Sequence, residues 1–319
     1  MKSVAFLGTG KIALEYSAII KKLGYFVEYA SSSSDKSKSW RKFKSKNPNV
    51  KYLSTKEILN DKRINKIFAL LPYLKQMEYF PKFLESKKSI FIEKPFSHNS
   101  QKFNRLLIKN KKNLKNKYIS FNRRFYEVVN FLKKRLSKKD IKFVRVNINE
   151  NFTQKTKTKS KNYKKLFPYF GSSSHIIDLL FYLFKEINFD KCFNSKKNYE
   201  YPSKYVLLRT YNNTPIFLFV EKDAPLKNGI EIVFKDNSLW SLSPIEKLQV
   251  YKGYKIKKNR GRQFKYLNYE QKLVFEKKER SNYKPGLEKT INFFLKKNKY
   301  NHNFMENLKY LKIYEKIFR

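Results

Sequence analysis

Cysteine is almost missing from this chain: Cys192 stands alone among 319 residues. A lone thiol rules out an internal disulfide and fits a reducing compartment. Long apolar runs are missing too. The longest, Ile176 to Phe184, is broken by Asp178 and falls short of the roughly 20 residues that a spanning helix needs. Val4 to Leu7 is too short for a signal-peptide core and runs directly into a glycine turn. The expectation is a soluble cytoplasmic protein without membrane insertion. Acids are also scarce, 26 against 72 basic residues, which leaves a net charge of +46. Only twelve of the basic residues are arginine. Lysine over arginine, with abundant Asn, Ile, Phe and Tyr, matches the coding bias of an AT-rich genome, but that bias does not explain the missing Asp and Glu. So positive a field attracts nucleotide cofactors, nucleotide sugars, nucleic acid and anionic surfaces alike, and chooses none of them.

What is present is material for a core: 41% hydrophobic and 17% aromatic residues, which excludes the low-hydrophobicity signature of disorder. The length predicts two domains, placed at 1–120 and 121–319. The first alternates strand and helix. Ser3 to Leu7, Tyr25 to Ala30, Lys66 to Leu71, Ser89 to Ile92 and Tyr118 to Phe121 read as strands. Between them, Lys11 to Leu23, Leu74 to Leu84 and Lys102 to Lys109 carry helical spacing, and Ser54 with Glu57 forms a capping box. Such alternation predicts parallel pairing and a doubly wound sheet. Beyond residue 120 the rhythm changes. A helix from Tyr126 to Leu136, a strand from Lys142 to Asn149 and an apolar helix from Ser173 to Phe184 precede strand-like runs at Tyr205 to Thr210, Pro215 to Val220, Ile230 to Phe234 and Leu248 to Tyr251. Helices at Leu287 to Lys296 and Asn303 to Ile317 end the chain. The fold class expected is α/β, a doubly wound domain followed by an α+β domain with a mostly antiparallel sheet.

Two of the eight glycines lie between the first strand and the first helix, in Gly8-Thr9-Gly10-Lys11-Ile12-Ala13. Gly8 permits the tight turn, Gly10 lets the backbone approach a pyrophosphate, and Ala13 lets helix and strand pack closely. The helix N-terminus then offers its amides to the phosphates. An acidic residue about 20 positions later would select NAD. Here Ala30 is followed by Ser31, Ser32, Ser33 and Ser34, then Asp35, Lys36, Lys38 and Arg41. Serines with nearby cations suit the 2′-phosphate of NADP better than a free 2′-hydroxyl, while Asp35 keeps NAD open.

Glu93-Lys94-Pro95 closes an apolar strand some eighty residues after the glycine turn. With Leu71-Pro72 and Ser174-His175-Ile176-Ile177-Asp178, these motifs resemble the Gfo/Idh/MocA family, named for glucose–fructose oxidoreductase and inositol dehydrogenase. The resemblance spans the whole chain in architecture. It implies a Rossmann domain and an α/β domain whose sheet covers the active site, with hydride transfer between NAD(P) and a hydroxyl-bearing carbon of a sugar, nucleotide sugar or cyclitol. The resemblance implies that Lys94 donates to the developing alkoxide, that Glu93 restrains its turn, and that Gly8, Thr9, Gly10, Lys11, Ile12, Ser31, Ser32, Pro72, Glu93 and Lys94 hold the cofactor. It further implies a catalytic role for His175, a side chain that titrates near neutral pH, and a substrate contact at Asp178. The plainer reading of His175 is a core histidine hydrogen-bonded to Asp178. No metal is implied. A homo-oligomer, dimer or tetramer, is implied by the pairing common on the second-domain sheet.

Arg123 and Arg124, where the family carries an arginine–phenylalanine pair, either bind an anionic substrate or pair with the acids of the Tyr126 helix. Six lysines between Thr153 and Lys165 form either a contact for a phosphorylated or nucleotide-linked sugar or a solvated loop. One departure stands out: Gly171 occupies the position of a relay aspartate. A hydroxyl, Tyr163 or Tyr169 would replace it, or Lys94 and His175 would act alone, or turnover is lost and the chain is an NAD(P)-binding sensor or scaffold. His98 and His302 lack a matching context. A basic nucleic-acid binder is the remaining class, but no zinc-finger spacing or RNA-recognition signature occurs and the lysines are spread along the chain.

Overall fold

The structure, a computed structural model, describes residues 2–136, 140–151, 171–195, 202–260, 265–297 and 304–318. They form two compact units, Met1–Phe125 with Asn282–Glu315 and Tyr126–Ser281 with Lys316–Arg319. Among the described residues no helix is long and apolar enough to cross a membrane.

The first unit is built on a six-stranded sheet of β1 (Lys2–Leu7), β2 (Tyr25–Ser31), β3 (Lys51–Tyr52), β4 (Lys66–Ala69), β5 (Ser89–Glu93) and β6 (Lys117–Ser120). All pairs are parallel, in the order β3-β2-β1-β4-β5-β6. Strands covered on both faces read as unbroken apolar runs, as in Val4–Leu7 and Ile90–Ile92, which are fully buried. The helices between them are α1 (Lys11–Lys22), α2 (Lys38–Lys46), α3 (Thr55–Asn60), α4 (Tyr73–Glu85) and α5 (Ser100–Lys109). In α1, Ala13, Tyr16, Ile19 and Ile20 face the sheet at the spacing of an amphipathic helix. The capping box of α3 is present: Ser54 Oγ accepts from the Glu57 amide at 3.2 Å, and Glu57 accepts from the Ser54 amide at 2.7 Å. The strand expected to reach Leu71 stops at Ala69, because Leu70 to Pro72 turn into α4, which Pro72 caps.

This strand order reverses between β1 and β4, and ligands of such sheets bind at the carboxyl ends of the strands flanking that reversal. Asn282–Glu315 adds α8 (Leu287–Lys296) and most of α9 (Phe304–Phe318) to the same unit. Phe294 of α8 packs on Phe68 and Phe91, with ring centroids 5.0 and 5.3 Å apart.

The second unit holds α6 (Glu127–Leu136), β7 (Ile141–Glu150), α7 (Ser172–Phe184) and strands β8 (Ile187–Asn194), β9 (Lys204–Thr210), β10 (Pro215–Lys222), β11 (Gly229–Phe234), β12 (Ser238–Leu242), β13 (Lys247–Arg260) and β14 (Lys265–Lys278). The sheet runs β14-β13-β12-β11-β7-β10-β9-β8. Its pairs are antiparallel apart from β7 with β10. That exception is possible because more than sixty residues separate the two strands in the chain, and parallel neighbours need a long crossover. One face is core, with Val144, Val146, Ile148, Leu208, Ile216 and Leu218 buried, while Tyr205 and Phe217 on the other face are exposed. The strand expected at Leu248 to Tyr251 is much longer, Lys247–Arg260, because its pairing with β14 continues through lysine-rich sequence.

Candidate functional site

The glycine turn lies at the carboxyl end of β1, against β4. Gly8 has φ +102°, and a Cβ there would stand 2.5 Å from the Leu70 carbonyl oxygen. Its amide donates to Ser31 O at 3.0 Å. Gly8 is therefore demanded by the fold. Gly10 is not. Its φ is −70°, which any residue adopts, and nothing lies within 4 Å of the Cβ position. It caps α1 without a side-chain hydrogen bond, and the first turn contains no acid. The Ala13 amide bonds back to Gly10 O at 3.0 Å, which leaves those of Lys11 and Ile12 for an anion, and the missing Cβ keeps their approach open. These features fit a dinucleotide pyrophosphate. Lys11 is exposed and Ile12 packs partly buried against the sheet core.

Four hydroxyls cluster at the end of β2. Thr9 Oγ1 lies 3.0 Å from Ser32 Oγ and 3.3 Å from Ser39 Oγ, and Ser32 Oγ lies 2.8 Å from Ser37 Oγ and 3.1 Å from Ser39 Oγ. Ser37 also caps α2, accepting from the Trp40 amide at 3.2 Å. Ser31 is buried and bonds to Thr55 Oγ1 at 3.0 Å. Asp35, Lys36, Lys38 and Arg41 are exposed. Sequence reasoning singled out Ser31 and Ser32, but not Ser37 or Ser39. Those two follow an irregular turn, and only the start of α2 brings them back to β2.

Glu93 ends β5 and Lys94 follows it, on a turn with a cis Lys94–Pro95 peptide. Glu93 Oε2 accepts from the Lys94 amide at 3.2 Å, and Glu93 Oε1 accepts from the hydroxyl of Tyr16 on α1. Burial pushes the Glu93 carboxyl up. Burial, and then the charge of Glu93, hold the Tyr16 hydroxyl well above its ordinary value. Gln76, buried on α4, donates from Nε2 to the carbonyls of Glu93 and Pro95. Neither Tyr16 nor Gln76 was marked by a motif.

Asn122–Phe125 form one 3₁₀ turn after β6. Asn122 Nδ2 donates to Pro285 O at 2.8 Å. Arg124 pairs with Glu306 of α9 at 3.8 Å. Arg123 Nη1 is buried with no hydrogen-bond partner among the described residues. His98 Nδ1 lies 2.5 Å from the Tyr73 hydroxyl.

In the second unit, His175 and Asp178 are both buried on α7, 7% and 1% exposed. Gly171 caps α7 without a side-chain hydrogen bond. The buried Glu150, at the end of β7, instead accepts from the Ser173 amide at 2.6 Å. Sequence reasoning missed this carboxylate because it lies more than twenty residues upstream of the helix that it caps. Tyr163, Tyr169, His302 and the lysines of Thr153 to Lys165 lie outside the described residues. Among the described residues no group of three His, Cys, Asp or Glu could hold a metal ion.

Residues 2–119 match the Gfo/Idh/MocA oxidoreductase family, NAD-binding Rossmann fold. Solved structures are similar along most of the chain. KijD10, a 3-ketoreductase from Actinomadura kijaniata in complex with TDP-benzene and NADP in an open conformation, is 11% identical, with 99% of this chain and 96% of that one covered and a TM-score of 0.71. The WlbA dehydrogenase from Bordetella pertussis in complex with NADH and UDP-GlcNAcA is 13% identical over 77% of this chain and 75% of that one, with a TM-score of 0.65. An oxidoreductase from Thermotoga maritima is 16% identical over 100% and 96%, with a TM-score of 0.76. At these identities the likeness is one of fold. A search of curated proteins finds no match.

Proposed function

We propose, for a chain whose residues 2–119 match the Gfo/Idh/MocA oxidoreductase family with its NAD-binding Rossmann fold, hydride transfer between NADP and a hydroxyl-bearing carbon of an anionic, nucleotide-linked sugar. The observation that carries the cofactor half is Gly10, whose missing side chain has no structural reason except the open approach to α1. The hydroxyl cluster of Thr9, Ser32, Ser37 and Ser39, at the N-terminus of α2 and near Lys38 and Arg41, favours a 2′-phosphate over a free ribose hydroxyl. The nicotinamide supplies the hydride acceptor or donor when bound. Lys94, at a strand's carboxyl end, donates to the substrate oxygen as alkoxide character develops and takes the proton back in the reverse direction. From the second unit we assign His175 as a proton-exchanging group and Asp178 as a substrate contact. Arg123 supports the anionic substrate, since a buried guanidinium nitrogen without an acceptor among the described residues is matched by phosphate or carboxylate. The ligands named for KijD10 and WlbA carry nucleotide-linked groups, which agrees with this choice.

The test is fluorescence titration with NADPH and NADH, followed by turnover of UDP- and TDP-linked hexoses in wild type, Lys94→Ala and His175→Ala. The expected result is tighter NADPH than NADH binding, with binding kept in both variants and turnover reduced in each, about 10²- to 10⁴-fold in Lys94→Ala. Absence of any nucleotide affinity would overturn the proposal. Nucleotide binding with no turnover in wild type would replace it with a sensor or scaffold role, the reading that Gly171 favours.

A further inference from the structure

The turn that carries Lys94 is held from two sides by side chains outside the Glu93-Lys94-Pro95 motif. Gln76 is 1% exposed, and its Nε2 donates to the carbonyls of Glu93 and Pro95, the latter at 3.0 Å. These carbonyls flank Lys94, and the amide nitrogen of glutamine has two hydrogens. One side chain therefore spans the lysine like a staple. On the other side, the Tyr16 hydroxyl bonds to Glu93 Oε1, and Glu93 Oε2 accepts from the Lys94 amide at 3.2 Å. The Tyr16 ring is fully buried and sits edge-on to Phe68 and Phe91, at 6.0 and 5.6 Å, so packing fixes where its hydroxyl points. The main chain before, at and after Lys94 is thus held by the buried Gln76 and Tyr16, the latter acting through the half-buried Glu93.

We propose that Gln76 is a positioning residue for Lys94, and that Tyr16 and Glu93 form a second support joining the cofactor helix α1 to the same turn. This rests on Lys94 acting as the proton donor. The chemistry requires it: a donor must meet an oxygen that has little freedom in the reacting complex, and displacement of about 1 Å costs on the order of 100-fold in rate. A lysine side chain has four rotatable bonds, so the base of its stem must be fixed if its tip is to be. Gln76 performs this task for the backbone on both sides of the stem, and Tyr16 aligns it with the helix that faces the phosphates.

The test is a double-mutant cycle in the full-length protein, with NADPH affinity and turnover of UDP- and TDP-linked hexoses measured for Gln76→Met, Lys94→Ala and the pair. Methionine keeps the length of glutamine and removes both donors. Gln76→Met is expected to lower kcat by about 10- to 100-fold with the NADPH Kd within roughly threefold of wild type, and to lower nothing further once Lys94 is alanine. If Gln76→Met does not fold, Tyr16→Phe, which deletes one oxygen, is taken through the same cycle with the same expectation. Losses that multiply in the pair, or full kcat in Gln76→Met or Tyr16→Phe while Lys94→Ala is inactive, overturn the positioning role and leave the role of Lys94 intact. Full turnover in Lys94→Ala, or no turnover in wild type, overturns the proposed function and this inference with it.

Discussion

The two ends of the six-stranded sheet use lysine in opposite ways. At the N-terminal ends of β4, β5 and β6, Lys66, Lys88 and Lys117 turn their ammonium groups onto main-chain carbonyls. Lys66 donates to Phe294 and Lys297 at 3.1 and 2.8 Å, Lys88 to Asp61 and to Ile64 at 2.6 Å, and Lys117 to Ser86 and Lys88 at 2.7 and 2.8 Å. Asp61, Ser86 and Lys297 are helix C-caps, so these cations complete helix ends that present bare carbonyls. Burial brings Lys117 down to about 7 and is the main cause of Lys66 falling to about 8. At the carboxyl ends of the strands the polarity reverses. There the amides of Lys11 and Ile12 at the start of α1 are left for a ligand, and the carbonyls beside Lys94 are already taken by Gln76. In a chain of sixty lysines residue type alone says little. What separates a structural lysine from a chemical one is the end of the strand it occupies and what already satisfies the backbone around it.

The largest effect that tests this contrast is on turnover. Lys94→Ala should reduce kcat by about 10²- to 10⁴-fold, the usual span for one proton-transfer group, with NADPH binding changed only a few-fold. Lys117→Met should leave kcat and NADPH affinity as they are, and comparable losses at both positions would break the contrast. Next comes the turn itself. Gly8→Ala forces a side chain into a left-handed conformation 2.5 Å from the Leu70 oxygen, and should cost on the order of 1–3 kcal/mol of stability, read by denaturant unfolding. An unchanged midpoint would show that the turn is not held as described. At the hydroxyl cluster, Ser32→Asp would set a carboxylate against a 2′-phosphate, and the preference for NADPH over NADH should fall at least ~10-fold, about 1.4 kcal/mol, in paired titrations. A preference that stays at the wild-type value argues against the cluster as the 2′-phosphate site.

The smallest effect concerns the opposite end of the sheet. Lys117 loses its proton at about 7 in the folded protein, against 10.5 ordinarily. Between those values the unfolded chain holds a proton that the folded chain has released, so stability rises with pH across that window. Denaturant midpoints should climb from pH 7 towards pH 10 in wild type and climb less in Lys117→Met. Parallel curves for the two proteins would place Lys117 outside the buried environment described.

Much of the first unit could be read from sequence, because its signals are local. Val4–Leu7 and Ile90–Ile92 are unbroken apolar runs, Gly8 and Gly10 sit between a strand and a periodic helix, and Ser54 with Glu57 spells its own cap. Helix α2 escaped notice because Trp40 and Phe43 are its only buried residues amid lysine and serine. The long ribbon of β13 and β14 escaped because hydrogen bonding between strands, rather than apolar alternation, holds its outer part. The supports of Lys94 were hidden for a different reason. Tyr16 lies 77 residues from Glu93 in the chain and reads as one more core aromatic, and Gln76 reads as one polar residue on an amphipathic helix. Their roles arise only when α1 and α4 are folded against β5. The attachment of Asn282–Glu315 to the first unit has no local signal either, since α8 meets Phe68 and Phe91 only through the fold.

The most direct measurement is NADPH titration of Gly10→Ala beside a thermal unfolding curve of the same protein. Position 10 has an ordinary φ and open space around its Cβ, so the melting temperature should stay within a few degrees of wild type. NADPH affinity should nevertheless fall at least ~10-fold, because the added methyl group occupies the path by which a pyrophosphate reaches the amides of α1. Wild-type NADPH affinity in a normally folded Gly10→Ala protein would contradict the placement of the cofactor at this turn.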